Sequence, residues 1–283
     1  MKKPWQRARL KLVSQGGGLG DELLCTPVFR EIRRRNPGCH LTFLSRRPEV
    51  FRGNADLSDV ELFSRERGTK AIHLRYDVAL PPPRPLITLL AECVGLELHD
   101  NRLDPPRVDP SVEVRARMEV IASPRVIIQP QASGWTPNKQ WPVESWRDLV
   151  IRLTEHFEVI EVGSQPLFGG ENFGPRFHSL AGTTSVTEFA WVISQATVFV
   201  GPLSGGMHCA HAFGVPMVAI FGGYESPEGY DYPWDSCFFT PVECAPCWLA
   251  TPCPYDRKCL RAIQPEEVFR AITEAMEKRI ALP

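Results

Sequence analysis

The sequence predicts an α/β protein made of two open parallel-sheet domains in tandem. Three observations predict it. Strand and helix patterns alternate over residues 9–100 and again from residue 125 onward. A proline-rich polar stretch, LDPPRVDPSVEV, separates the two series as an interdomain linker. Each series carries a glycine-rich turn from a strand into a helix, where open α/β sheets bind ligands. A chain of 283 residues is long enough for both domains. The expected division is residues 1–110, residues 111–264 with a cysteine-rich loop at 244–259, and a C-terminal helix over 265–283. Two such domains can point their strand carboxyl ends at a common cleft, a layout suited to joining two substrates.

In the first half, RLKLVS alternates apolar and polar residues and predicts a strand. ELLCTPVFREIRRR places Leu23, Leu24, Val28 and Ile32 on one helical face, and Asn36-Pro37-Gly38 stops it. HLTFLS and YDVAL are strand candidates, and PLITLLAECVGL is a helix candidate. Between the first strand and helix lies QGGGLGD. It lacks the Lys-Ser/Thr of a phosphate loop. The dinucleotide pattern also fails: its third glycine falls on Asp21 or Leu23, and the second strand ends in Ser45-Arg46-Arg47 rather than an acid. Gly18 and Gly20 instead let backbone approach a ligand in a cleft. Asp21 has two readings, a helix N-cap or a carboxylate aimed into that cleft, and one residue can do both.

The second half begins with the strand RVIIQP and the helix VESWRDLVIRLTEHF, with Trp146, Leu149, Val150 and Leu153 on one face. EVIEVG is a strand. SVTEFAWVISQA is a helix opened by a capping box, Ser185 with Glu188. TVFVG, GGMHCAHAFG (closed by Gly214) and PMVAIFG read as strand, helix and strand. QPEEVFRAITEAMEKRI is a final amphipathic helix with Pro265 in its first turn. Ser204, Gly205 and Gly206 open a helix whose free N–H groups and dipole suit a diphosphate, and His208 lies in reach of phosphate or sugar. The alternative is a tight turn with a capping serine and a satisfied histidine. In QPQASGWTPNKQWP, Ser133 and Thr136 offer hydroxyls and Lys139 a cation that can neutralise charge on a leaving group. The alternative for Lys139 is a surface lysine. Trp135 and Trp141 pack this loop, or one stacks on a sugar or base.

Net charge is −1, which excludes bulk nucleic-acid binding. Arg30, Arg33, Arg34 and Arg35 form a solvated face or meet an anionic acceptor or membrane surface. MKKPWQRARLKLVS lacks the apolar core of a signal peptide, no stretch approaches a membrane span, and the expected location is the cytoplasm. Nine cysteines are many for that compartment. Cys244, Cys247, Cys253 and Cys259 cluster, and four thiolates can hold Zn²⁺ or iron tetrahedrally. Such a site is structural, because four protein ligands leave no open position. Free thiols and disulfides are the alternatives.

Four blocks in order carry a resemblance: GGLGDELLCTP, QASGWTPNKQWPVESW, PLSGGMHCAHAFGVPMVAIFGG, and a tail running from CAPC to CLRAIQPEEV. Together they resemble glycosyltransferase family nine, which includes the ADP-heptose:lipopolysaccharide heptosyltransferases. The resemblance spans residues 9–272. It implies the GT-B fold of two Rossmann-like domains, inversion at the anomeric carbon, and no cofactor required for the chemistry. By resemblance Asp21 matches the general base. Lys139 with Ser133 matches the loop that binds the donor phosphates, and Ser204, Gly205, Gly206 and His208 match the second phosphate block. Gln165 stands where some members carry a glutamate that contacts the ribose. Leu203 stands where the family usually has aspartate, which removes a carboxylate from the donor site. The expected function is transfer of a sugar from a nucleotide diphosphate, ADP-heptose-like, to a glycan, lipid-linked or protein acceptor. Lipopolysaccharide biosynthesis with peripheral contact at the inner membrane face goes with it. The alternatives are a nucleotide-sugar epimerase or hydrolase, and a non-catalytic nucleotide-sugar binder.

Overall fold

A computed structural model describes residues 3–77, 79–132 and 136–281. The chain forms two compact units, residues 1–108 with 228–231, and residues 109–227 with 232–283. The first holds β1 (Arg9–Ser14), β2 (His40–Ser45), β3 (Asp59–Leu62) and β4 (Ile72–Leu74). These pair in parallel in the order β3-β2-β1-β4. The second holds β5 (Arg125–Ile128), β6 (Glu158–Glu161), β7 (Phe177–Ser179), β8 (Val198–Pro202), β9 (Met217–Gly222) and β10 (Ser236–Phe239). Its order is β10-β9-β8-β5-β6-β7, also all parallel. Renumbered from β5, that is the doubly wound dinucleotide-binding order. The first unit carries the corresponding four-strand part. Each sheet therefore has one point where strand order reverses, between β1 and β4 and between β5 and β8.

The strand sequences fit this burial. Val126, Ile127, Ile128, Val198, Val200 and Val218 are all buried, as strands covered on both faces require. In the first unit Phe29 from the helix Thr26–Arg35 packs on Phe43 of β2 at 4.7 Å between ring centroids. In the second, Trp146 on the helix Val143–Thr154 is fully buried with an edge-on Trp141 at 5.2 Å. The C-terminal helix Pro265–Ala281 buries Val268, Ile272, Ala275 and Met276 in the same core. The capping box at Ser185 forms: its hydroxyl accepts the Glu188 N–H, and the Glu188 carboxylate accepts the Ser185 N–H.

Three expectations change. The helix expected over ELLCTPVFREIRRR is two, Leu19–Leu23 and Thr26–Arg35. Pro27 lacks an N–H to continue the first helix and is suited to open the second. In YDVAL the described residues Tyr76, Asp77, Ala79 and Leu80 are not in a strand, and Val78 lies outside the described residues. β4 lies earlier, at Ile72–Leu74, and stops where its partner β1 ends in the glycine turn. A longer strand there would have no ladder to join. The short strands β3, β7 and β10 were not foreseen, because partly exposed strands at or near a sheet edge need no apolar run. Among the described residues no helix is long and apolar enough to cross a membrane.

Candidate functional site

In the first unit the site is the turn after β1. Gly18 is the N-cap of the helix Leu19–Leu23, and Asp21 sits at its third position. Asp21 is therefore not the N-cap; it caps from inside, with the Gly18 N–H donating to Oδ2 at 2.9 Å. The Tyr76 hydroxyl donates to Oδ1 at 2.5 Å. The glycines make room for this carboxylate. A Cβ on Gly16 would lie 2.4 Å from Asp21 Cγ, and one on Gly18 2.7 Å from Oδ2. Gly17 has φ +67°, and a Cβ there would stand 1.4 Å from the Arg46 guanidinium. Gly20 is buried within the helix.

Two neighbouring strands fix this turn. Buried Glu22 accepts from the Ser45 hydroxyl at 2.9 Å and the Arg46 N–H at 2.7 Å, at the end of β2. Burial raises the Glu22 pKa, against those two bonds and the charges of Arg47 and Arg46. Arg47 donates to the Gly17 carbonyl at 3.0 Å. On the β4 side, the Gln15 N–H donates to the Leu74 carbonyl at 2.9 Å, and Gln15 Oε1 meets His73 Nδ1 at 2.7 Å. The basic cluster beside it is engaged within the fold. Arg30 pairs with Asp100 and Asp104, Arg33 donates to the carbonyls of Asp56, Pro37 and Cys39, and Arg34 and Arg35 hold Glu31.

In the second unit the helix Gly205–Ala212 starts at N-cap Ser204, and the N–H groups of its first turn have no intrahelical partner. The Ser204 hydroxyl donates to Gln129 Oε1 at 2.7 Å. Gln129 is anchored by its own bond to the Gln131 carbonyl at 3.0 Å. A Cβ on Gly206 would lie 2.1 Å from Gln129 Oε1, so a side chain there would displace the amide that holds Ser204. His208 is 5% exposed, with Nδ1 at 2.7 Å from the Tyr232 hydroxyl. Burial first, then the charges of Lys139 and His211, lower its pKa to about 3, so it is neutral at pH 7. His211 stacks on the Tyr232 ring at 3.7 Å.

Lys139 ends the 3₁₀ turn Pro137–Lys139. It is not a free surface lysine: it pairs with Glu225, 3% exposed, and lies 4.9 Å over the Tyr224 ring. Leu203 is buried, and the carboxylate that faces Lys139 comes from Glu225. Thr136 caps the turn, accepting the Asn138 N–H at 3.2 Å. Trp141 packs, its indole N–H donating to the Ile263 carbonyl at 3.3 Å. Ser133 and Trp135 lie outside the described residues. Gln165 is exposed in the loop after β6, which the buried Glu161 carboxylate shapes through the Leu167 N–H and the Ser179 hydroxyl.

The cysteine-rich loop grips the lysine turn through Asn138. Its amide donates to the carbonyls of Leu249 and Thr251 at 2.7 and 2.8 Å, and its oxygen accepts the Cys253 N–H at 3.0 Å. All nine cysteines are free thiols. Burial first, then the nearby Cys244, Cys259 and Cys253, push the Cys247 thiol pKa up. Among the described residues no three His, Cys, Asp or Glu side chains converge as metal ligands, so the four cysteines are neighbours without forming a ligand set. Tyr76, Gln129, Asn138, Glu225 and Tyr232 were not foreseen. Only Glu225 had a sequence signal, an acid shortly after the strand-ending FGG.

The model of glycosyltransferase family 9 (heptosyltransferase) matches residues 85–238. No curated protein matches the chain by sequence. Solved structures do match in fold. ADP-heptose lps heptosyltransferase II of E. coli superposes with TM-score 0.72 at 15% identity, over 96% of this chain and 100% of that one. The iron-containing dodecameric glycosyltransferase TibC of enterotoxigenic E. coli gives 0.71 at 19%, over 95% and 78%. A family 9 glycosyl transferase of Veillonella parvula gives 0.68 at 16%, over 95% and 97%. The two-unit parallel architecture is thus that of GT-B glycosyltransferases.

The His208 environment has a measurable consequence. Its folded pKa of about 3 lies below the ordinary 6.5, so between those values the unfolded chain binds a proton that the folded chain does not. The stability this confers is full above pH 6.5 and is lost as pH falls through that window. An NMR titration is expected to find the His208 ring still neutral at pH 5 in the folded protein; a midpoint near the ordinary value would contradict the burial argument.

Proposed function

The chain belongs to glycosyltransferase family 9, and on that premise we propose that it moves a heptose from ADP-heptose to a sugar hydroxyl with inversion. The single observation that carries the mechanism is Asp21, a carboxylate given space by Gly16 and Gly18 and fixed by the Gly18 N–H and Tyr76. In this reading the acceptor oxygen attacks the anomeric carbon as Asp21 takes its proton. The bond from that carbon to the ADP oxygen breaks, and its electron pair leaves with the diphosphate. One displacement of this kind inverts the centre. Asp21 supplies general-base catalysis.

The donor diphosphate would lie on the first-turn N–H groups of Gly205 and Gly206, with Lys139, Ser133 and neutral His208 beside it. Lys139 would offset the charge that builds on the leaving diphosphate. In the free protein Glu225 neutralises Lys139, so the donor must compete for that cation. Gln165 would meet the ribose from its exposed loop. The unit that holds Asp21 would bind the acceptor, a glycan or lipid-linked sugar, which fits lipopolysaccharide assembly at the inner membrane face. In this role the protein works from the cytoplasm and needs no cofactor for the chemistry.

Cys244, Cys247, Cys253 and Cys259 are soft sulfur donors of the kind that bind Zn²⁺ or iron; they do not converge as a ligand set in the structure, and a bound ion would have to draw them together. Bound there, it would stiffen the loop that grips Asn138, with no part in the transfer. Metal analysis of the purified protein is expected to find about one ion per chain, lost in Cys247→Ser. Metal-free protein whose stability is unchanged by that substitution would contradict it.

The base assignment is tested by ADP release from ADP-heptose with heptose-free lipopolysaccharide as acceptor. Asp21→Asn is expected to lower turnover by about 100-fold or more while ADP affinity is retained. Full turnover by the variant would refute it, and release of free heptose without acceptor would identify a hydrolase.

A further inference from the structure

We propose that Tyr76 is a positioning residue for Asp21, a role that rests on reading Asp21 as the base. A carboxylate that accepts a proton must present a lone pair to the acceptor hydroxyl. A free aspartate side chain rotates about two bonds and spends little time in any one pose. Here both oxygens are held, from opposite sides of the turn. The Gly18 N–H holds Oδ2 at 2.9 Å, and the Tyr76 hydroxyl holds Oδ1 at 2.5 Å. The second distance is that of a hydroxyl donating to an ionised oxygen, the stronger class of hydrogen bond.

The contact is built by topology. Asp21 and Tyr76 are 55 residues apart, and they meet because β1 and β4 are adjacent at the point of strand-order reversal. β4 ends at Leu74, whose carbonyl accepts the Gln15 N–H, and His73 meets the Gln15 side chain. That bolt delivers the chain two residues on, at half-buried Tyr76, to the glycine turn. The helix cap alone restrains Asp21 on one oxygen; the phenol fixes the remaining rotation and leaves the other lone pairs for substrate. Tyr76 therefore acts on the rate of proton removal and not on the nucleotide.

Tyr76→Phe keeps the ring and removes only the donor. In the ADP-release assay above it is expected to lower kcat by about 10- to 100-fold, with the KM for ADP-heptose and the affinity for ADP unchanged. A second measurement needs no turnover. Water-soluble carbodiimide with a labelled amine, read by peptide mass spectrometry, is expected to modify Asp21 several-fold faster in Tyr76→Phe than in the parent protein. Unchanged labelling would overturn the tether. Unchanged kcat, or a loss of ADP affinity equal to the loss of kcat, would overturn the positioning role. If Asp21→Asn itself retains full turnover, the base reading falls on its own, while the labelling result still decides whether the tether exists.

Discussion

The reversal of strand order in each parallel sheet is the constraint on which the rest depends. Strands that run parallel need crossover helices, and the crossovers on the two sides of the first strand must go in opposite directions. The loops that leave the two central strands then part, and a crevice opens at their carboxyl ends. In the first sheet those loops carry Asp21 after β1 and Tyr76 after β4. In the second they carry Lys139 after β5 and Ser204–His208 after β8. Asp21, Tyr76, Lys139 and Ser204–His208 thus follow strands at these reversals, although the two sheets share no visible sequence repeat.

The two crevices solve different problems. The first is furnished for one carboxylate: its glycines yield space to Asp21 and Arg46, and the Gly18 N–H serves Asp21 itself. The second keeps a helix N-terminus, a cation and a neutral imidazole together. Its polar groups are held by a further layer, Gln129 on Ser204, Tyr232 on His208, and Asn138 behind Lys139. The cysteine-rich loop belongs to that layer, since it is the surface Asn138 grips. These bonds hold the polar groups of the second crevice in place before any ligand arrives.

What was legible in the sequence was what is local. The glycine turn with Asp21, the helix opened by Ser204-Gly205-Gly206, and the Ser185 capping box each lie within a few residues of chain, where backbone geometry follows from residue type. Partnerships across strands were not legible. Tyr76 was hidden inside a stretch whose apolar pattern looked like a strand, and only the end of β1 explains why β4 stops before it. Asn138 contacts residues more than a hundred positions away, and nothing in its neighbours marks it. Ser204 was legible as a helix start, but its bond to Gln129 was not, because only the fold brings that side chain within reach.

In the proposed reaction the two glycine turns divide the work, carboxylate in one unit and diphosphate in the other. A crystal structure of the full chain with ADP tests it most directly. The diphosphate is expected on the Gly205 and Gly206 N–H groups, with Lys139 drawn from Glu225 to the phosphate oxygens. A diphosphate seated on the Gly16–Gly20 turn, with Asp21 displaced, would contradict it.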